Sequence, residues 1–445
     1  IMSVTKSLIR SYSLRARIRM IQEALETAGV DPRHISYVEA HGTGTKAGDA
    51  AEFEGLRQVF GAADAQRHQW CALGSVKSQI GHTKAAAGAA GLFKAVMALH
   101  HKVLPPSIKI DAPNPKLDIE HSPFYINTRA RPWIRNSNHP RRASVSAFGF
   151  GGSNFHVTLE EYQGSAPKAE RLPTHHYELI LLSADDAASL AAKARTMAAN
   201  KESLSQVARQ SQREFRSDAN ARLAIVASDV SQLQSRLLAA AQRIEQSPDT
   251  PFTLPDGSSY GFGGNSGKLA MLFPGQGSQY AGMGADLAMH FPIVREVWDR
   301  AADLQFEAET TLHEMVFPRP GFGGDAAKNA NARLTATQWA QPAIGATALS
   351  MLAVLDDCGI HADLFGGHSF GEVVALHAAG VLSETDLLKV ARRRGELMAQ
   401  AASTPGAMTA LSLPIEQVRD WIARCQSAVV VANHNAPQQV VVSGT

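Results

Sequence analysis

Gly366-Gly367-His368-Ser369-Phe370-Gly371-Glu372 is the stretch on which the reading of this chain turns. An apolar run, Leu349 to Leu355, and then Ala362-Asp363-Leu364-Phe365 precede it, and Val373-Val374-Ala375-Leu376 follow. That order predicts a strand, a sharp turn and a helix, with Ser369 at the apex between small residues. A serine so placed projects its hydroxyl from the top of a sheet, and the next helix aims its N-terminus at it. The amide of Phe370 then points at any oxyanion formed when Ser369 attacks an ester or thioester. The plainer reading is a glycine-rich turn whose serine caps a helix. Small residues on both sides of Ser369 favour the nucleophile. Alone, the stretch says only acyl transfer or hydrolysis by serine.

The chain has 445 residues, 44% apolar and 19% charged, enough for about three domains with large cores. A net charge of +2, with no basic stripe carrying interleaved aromatics, argues against a nucleic-acid partner. Cys71, Cys358 and Cys425 lie far apart with neither metal-ligand spacing nor a disulfide pattern, which suits a reducing cytoplasm and no metal. No apolar run reaches the ~20 residues needed to span a bilayer, and the basic start, Arg10 to Arg19, lacks a signal peptide's apolar core. The chain starts in a helix-like pattern and ends on Val440-Val441-Val442-Ser443-Gly444-Thr445, which reads as a piece of a longer protein.

Three further segments carry chemistry. Ile18, Ile21, Leu25 and Ala28 recur at helical spacing up to a stop at Gly29. A short strand, Ile35 to Ala40, then leads into His41-Gly42-Thr43-Gly44-Thr45 and Gly48-Asp49, where glycines let the backbone approach a ligand. Leu73-Gly74-Ser75-Val76-Lys77-Ser78-Gln79-Ile80-Gly81-His82 repeats the order of strand, loop and histidine. It runs into a helix of small residues, Thr83 to Phe93, suited to burial between sheets. Ser144 to Phe148 is a strand that turns at Gly149-Phe150-Gly151-Gly152 and returns as Phe155 to Leu159. Neither a helix pattern nor a lysine follows those glycines, so they are not a phosphate loop.

These three segments, in this order, resemble the C-terminal half of a β-ketoacyl synthase, over roughly residues 1 to 160. The resemblance implies a thiolase-like fold and makes His41 and His82 the two histidines of a Cys-His-His site. Two imidazole N–H groups can stabilise the enolate charge that builds when a malonyl thioester loses carbon dioxide. By the same resemblance Lys77 is the site lysine and Glu52 its ion-pair partner. Phe150 gates the pocket and lends an amide, and Thr43 and Thr45 meet a phosphopantetheine arm. The chain departs from the family at Ala50-Ala51, where a proline is usual, and has no nucleophilic-cysteine motif. Cys71 reads as core, so the nucleophile is expected upstream of Ile1.

After Tyr162 come a strand (Leu179 to Ser183), alanine-rich helices (Asp185 to Asn200, Val230 to Ile244) and a strand between them (Arg222 to Ser228). This resembles the small α/β linker between ketosynthase and acyltransferase in multidomain synthases. Gln246 to Gly267 reads as an exposed loop. Leu269 to Phe273 then opens into Pro274-Gly275-Gln276-Gly277-Ser278-Gln279. Together with the serine stretch, this resembles malonyl/acyl-CoA:acyl-carrier-protein transacylases. The resemblance gives Gln276 an oxyanion role beside the Phe370 amide and places Gln341 near the acyl pocket. It makes Arg394, in Arg392-Arg393-Arg394-Gly395, the grip on a malonyl carboxylate, a task that suits the guanidinium fork. Arg392 and Arg393 are then solvated or paired on the helix surface. A closing strand–helix–strand–strand pattern from Ala407 to Ser443 resembles the ferredoxin-like subdomain of transacylases. His434 lines the cleft, His368 belongs to the elbow, and the base for Ser369 is expected beyond Thr445.

The fold expected is therefore α/β and multidomain. A partial thiolase-like ketosynthase (1–162) precedes a small α/β linker (163–267). An α/β-hydrolase-like acyltransferase (268–404) follows, with a truncated ferredoxin-like subdomain (405–445). The wording around Ser369 and Thr335 to Pro342 is most similar to enediyne polyketide and polyunsaturated fatty-acid synthases. The resemblance implies a cytoplasmic multifunctional synthase, homodimeric at full length. It would move malonyl units from malonyl-CoA or acyl-CoA to carrier-protein phosphopantetheine, bind no cofactor itself and carry out decarboxylative condensation. Two other readings are a catalytically incomplete structural or carrier-docking piece, and a lone α/β serine hydrolase, which would leave the histidine loops unexplained.

Overall fold

A computed structural model describes residues 4–10, 13–135, 139–149, 152–164, 177–264, 267–304, 310–323, 325–401, 406–425 and 428–444. The chain forms two compact units, Ala166–Lys268 and a larger one made of Ile1–Ser165 with Leu269–Thr445. The prediction at Phe150 lies outside the described residues.

In the larger unit a six-stranded mixed sheet has the order Val4–Arg10, Ser153–Glu160, Arg142–Phe148, Tyr37–Glu39, Cys71–Gly74, Phe124–Ile126. Its first two pairings are antiparallel and the other three parallel. The helix-like start expected of the sequence is instead a strand, Val4–Arg10, paired with Ser153 to Leu159. That pairing joins residues about 150 positions apart, so no local pattern announces it. Strand Tyr37–Glu39 is buried along its length. Helix Leu14–Ala28 is capped by Ser13 and stops where Gly29 turns left-handed at φ +63°. Helix Lys46–Ala63 starts at Thr45, whose Oγ1 accepts the Gly48 N–H at 3.2 Å. Cys71 is buried in the core.

The small-residue helix, Ala87–His101, lays Gly91, Ala95 and Ala98 inward. It does not lie between two sheets among the described residues, because its opposite face leaves Phe93 67% exposed.

The remainder of this unit holds the parallel strands Ala270–Phe273 and Leu364–Gly367 and the long helix Thr337–Asp357. It also holds the helices Gly371–Ala378 and Glu384–Ala401. A three-stranded antiparallel sheet, with Gln439–Gly444 between Ala407–Leu411 and Val430–Ala436, carries helix Ile415–Cys425. A buried ionic chain crosses the unit: Lys102 and Arg141 both pair with Glu161, and Arg141 also grips both oxygens of Asp299 at 2.6 Å.

The smaller unit is a four-stranded antiparallel sheet, Phe252–Thr253, Ser259–Phe262, Ala221–Ala227, Glu178–Ala184. Helices Ala187–Ala198, Leu204–Glu214 and Val230–Gln246 complete it. Two features differ from the sequence reading. Leu204–Glu214 is a helix that the reading passed over, because it is polar apart from a narrow stripe ending at Val207 and Ala208. Within Gln246 to Gly267, expected as an exposed loop, two strands pair and Tyr260 is buried. The Gly and Pro there mark the turn between those strands, not the absence of strands.

Candidate active site

Two sites are built in the larger unit. The first begins at the end of strand Tyr37–Glu39, where His41 is only 8% exposed. Its backbone N–H donates to Glu52 Oε1 at 2.7 Å, and the Gly42 N–H donates to Glu52 Oε2 at 2.9 Å. Gly42 has φ +48°, and a Cβ there would stand 2.8 Å from Ser75 Cβ. Only glycine lets the two histidine loops approach this closely. The His41 and His82 rings then meet edge to face with centroids 5.6 Å apart.

The hydrogen bonds select a tautomer for each ring. Lys77 Nζ, a donor only, lies 3.4 Å from His41 Nδ1 and also donates to the His41 carbonyl. The Lys84 N–H donates to His82 Nδ1 at 3.1 Å. Both Nδ1 atoms are therefore acceptors, and both Nε2 atoms carry the proton. Burial, reinforced by the charges of Lys77, His82 and Arg17, brings the His41 pKa down to about 4. His41 is thus a neutral N–H donor at physiological pH, the form an oxyanion needs.

Glu52 departs from the sequence expectation. Its carboxylate is buried and taken up by the two loop amides, so it makes no direct ion pair with Lys77. It acts on Lys77 only through space, and burial lifts its own pKa to about 7 against the pull of those amides. Burial also lowers the pKa of Lys77. Thr43 and Thr45 are exposed, with hydroxyls 3.1 Å apart, and Asp49 Oδ1 accepts the Gly44 N–H at 3.2 Å.

The second site is the serine elbow. Ser369 sits at φ +54°, a strained conformation for a residue with a Cβ, and Phe370 begins the helix Gly371–Ala378. A Cβ at Gly371 would stand 2.0 Å from the Phe273 carbonyl oxygen, so strand and helix meet with no room for alanine. The Phe370 ring is fully buried and anchors the elbow to the core. The Gly275-Gln276 turn lies against it: a Cβ at Gly275 would come 3.2 Å from Ser369 Cβ. Gln276 Nε2 donates to Thr337 Oγ1 at 3.3 Å, at the start of the long helix.

Gly395 brings the arginine helix onto that same helix start, where a Cβ would be 2.5 Å from the Thr337 carbonyl oxygen. Arg394 lines a groove with Val390, Leu397 and Met398, and its Nη1 is buried without a hydrogen-bond partner among the described residues. Gln341 is fully buried; its Nε2 donates to Met398 Sδ at 3.2 Å, and its Oε1 has no partner among the described residues. Arg392 is not the surface arginine expected of the sequence. It is buried, pairs with Glu396 at 2.7 Å and lies 4.7 Å above the Trp339 ring. An apolar stem and a planar cation let it cement the two helices.

His377, in the elbow helix, has Nδ1 2.8 Å from the Leu382 carbonyl oxygen, to which it donates. His434 is exposed on Val430–Ala436, where the strand pairing is irregular. Among the described residues no hydrogen bond joins Ser369 to His368, His377 or His434. Sequence reading missed Glu39, which is 1% exposed behind both histidine loops and pairs with Lys94 at 3.2 Å. Its only local signal is an acid at the end of a buried strand.

The fold is α/β, with two histidine loops brought together at one sheet and a strained serine turn at another. Three families match along it: the beta-ketoacyl synthase C-terminal domain over residues 5–111, the ketoacyl-synthetase C-terminal extension over 113–226, and the acyl transferase domain over 270–445. The chain belongs to the ketosynthase–acyltransferase region of polyketide and polyunsaturated fatty-acid synthases. One component of a polyunsaturated fatty acid synthase from Thraustochytrium sp. is 34% identical across 96% of this chain, which covers 16% of that protein. One component of the phenolphthiocerol/phthiocerol polyketide synthase from Mycobacterium tuberculosis is also 34% identical across 96%, with 28% of its length covered. Among solved structures, the acyl transferase domain of ZmaA is 26% identical with TM-score 0.51, over 61% of this chain and 60% of that one. The chain thus spans well under a third of the length of these two relatives.

Proposed function

We propose that this chain supplies the acyl-loading site and part of the condensing site of a synthase that builds carbon chains from malonyl units. The carrying observation is the placement of Ser369 and Arg394: a strained serine on one helix start, and a guanidinium nitrogen without a partner among the described residues on the helix packed beside it. Ser369 Oγ attacks the thioester carbonyl of malonyl-CoA and loses its proton to a base. The C–S bond breaks, and coenzyme A leaves as the thiol after taking up a proton. The carrier-protein phosphopantetheine thiol then attacks the malonyl-serine ester and frees Ser369. Gln276 and the Phe370 amide hold the oxyanion of both steps, so one hole serves two barriers. Arg394 holds the free carboxylate and Gln341 borders the acyl group.

In the condensing site, His41 and His82 would donate Nε2–H to the enolate oxygen released by decarboxylation. Lys77 holds the His41 tautomer and Glu52 its loop, Phe150 closes the pocket, and Thr43 and Thr45 meet the phosphopantetheine. The ranges 1–162, 163–267, 268–404 and 405–445 are the domains of this reading. A homodimeric, cytoplasmic full-length synthase with an acyl carrier protein partner completes it. A lone serine hydrolase leaves the coupled histidine loops without a use.

Competition between malonyl-CoA and acetyl-CoA for the chain tests the substrate class. Loss of a charged hydrogen bond at about 1.5–3 kcal/mol predicts that Arg394→Ala cuts malonyl loading by about 10–100-fold and spares acetyl loading. Equal loss for both acyl groups would remove Arg394 from substrate recognition.

A further inference from the structure

Glu39 and Lys94 belong to neither role described above. Glu39 ends the strand that launches His41, and its carboxylate is almost wholly enclosed. Oε1 accepts the backbone N–H of Val76, the residue immediately before Lys77. Oε2 accepts the Tyr37 hydroxyl and pairs with Lys94 Nζ at 3.2 Å. Tyr37 is fully buried and Lys94 is 9% exposed. The helix Ala87–His101 makes room for the carboxylate at Gly91, where a Cβ would stand 3.2 Å from Glu39 Cγ.

A buried ion pair is a poor way to gain stability, because desolvation offsets most of the attraction. Its worth here is geometric. One carboxylate is hydrogen-bonded to Tyr37 in the strand before His41 and to the turn before Lys77, and is ion-paired with the helix after His82. It therefore fixes the three segments whose relative placement sets the Lys77–His41 contact of 3.4 Å and the ring distance of 5.6 Å.

We propose that Glu39, neutralised by Lys94, is a positioning residue that locks the two histidine loops together and holds His41 as an Nε2–H donor. This rests on the condensing-site reading of His41, His82 and Lys77. Without Glu39 the Val76 amide loses its acceptor, the turn moves, and Lys77 withdraws from His41 Nδ1. His41 then becomes a mixture of tautomers and binds protons more tightly.

Long-range nitrogen–proton NMR of the histidine side chains in the whole chain, followed against pH, reads both properties. Peaks are assigned with His41→Asn and His82→Asn. Two paired variants separate position from charge. Glu39→Gln with Lys94→Met removes both charges but keeps an acceptor for Val76, and should leave His41 as in the wild type. Glu39→Leu with Lys94→Met removes the acceptor as well, and should populate the Nδ1–H tautomer and tighten proton binding by about tenfold or more, one pKa unit. Glu39→Asp keeps the charge but shortens the reach, and should give the same change should the leucine pair not fold.

A folded leucine pair or Glu39→Asp with unaltered His41 would overturn the proposal. Lys77→Met separates the two claims. If it too leaves His41 unaltered, the condensing-site reading of Lys77 fails; if it changes His41 while the Glu39 variants do not, only the role of Glu39 fails.

Discussion

In the proposed function the histidine loops and the serine elbow share one task, holding a developing negative charge on oxygen, and they are built from opposite materials. The histidine site is built from buried charge. Glu52 ties the His41 loop by two backbone amides, Glu39 and Lys94 sit behind it, and His41 is pushed to about pKa 4. The elbow is built from backbone and absent side chains. Ser369 is strained at φ +54°, Gly371 has no space for a Cβ, and the strands beside it expose apolar residues such as Leu272, 80% accessible. One site should therefore respond to pH and charge, the other to volume.

Adding a single carbon to the elbow is the harshest test of that contrast. Gly371→Ala places a Cβ 2.0 Å from a backbone oxygen that cannot move aside. A loss of about 3 kcal/mol or more in urea unfolding of the larger unit is expected, with acyl loading abolished. The same change should leave the pH titration of His41 untouched. An alanine that is tolerated would mean the elbow is held by something other than close packing.

Acid should act on the histidine site, and the signs of its groups differ. Glu52, raised to about 7 in the fold from an ordinary 4.5, takes up its proton in the folded state first. Falling pH from 7 to 4.5 therefore adds stability, up to about 3 kcal/mol for a shift of this size. His41 and the buried His156, both near 4 against an ordinary 6.5, stay neutral in the fold while the unfolded chain protonates. Their contribution is full above pH 6.5 and is lost as pH falls towards 4. Glu52→Gln removes the compensating gain, so urea unfolding followed by tryptophan fluorescence should show the variant losing more stability than the wild type between pH 7 and 4.5. An equal or smaller loss in the variant would contradict the burial of an ionisable Glu52. Thr45→Ala gives the smallest effect, about 1 kcal/mol from loss of a helix cap, seen as a lower urea midpoint.

The two sites were also unequally legible in the sequence. The elbow is local: strand, small residues, serine and helix lie within some twenty positions, and the glycines announce the contacts they permit. His41, His82 and Lys77 stand in two such local motifs, so their convergence was readable. What the motifs touch was not. Glu52 meets backbone amides instead of Lys77, Glu39 reaches Val76 across 37 positions, and Arg392 stacks on Trp339 on another helix. Each depends on how elements pack, and a charged residue looks solvated until a partner is known. The strand Val4–Arg10 and the pairing of Phe252–Thr253 with Ser259–Phe262 escaped notice for related reasons. The first needs a partner about 150 residues away, and the second is too short to show alternation.

The most direct test of the account is intact-mass analysis of the purified chain after brief incubation with malonyl-CoA, beside Ser369→Ala. A malonyl adduct on the wild type that is absent from folded Ser369→Ala is the result expected of a strained, preorganised nucleophile. An adduct that persists in folded Ser369→Ala would contradict the assignment of this elbow as an acyl-loading site.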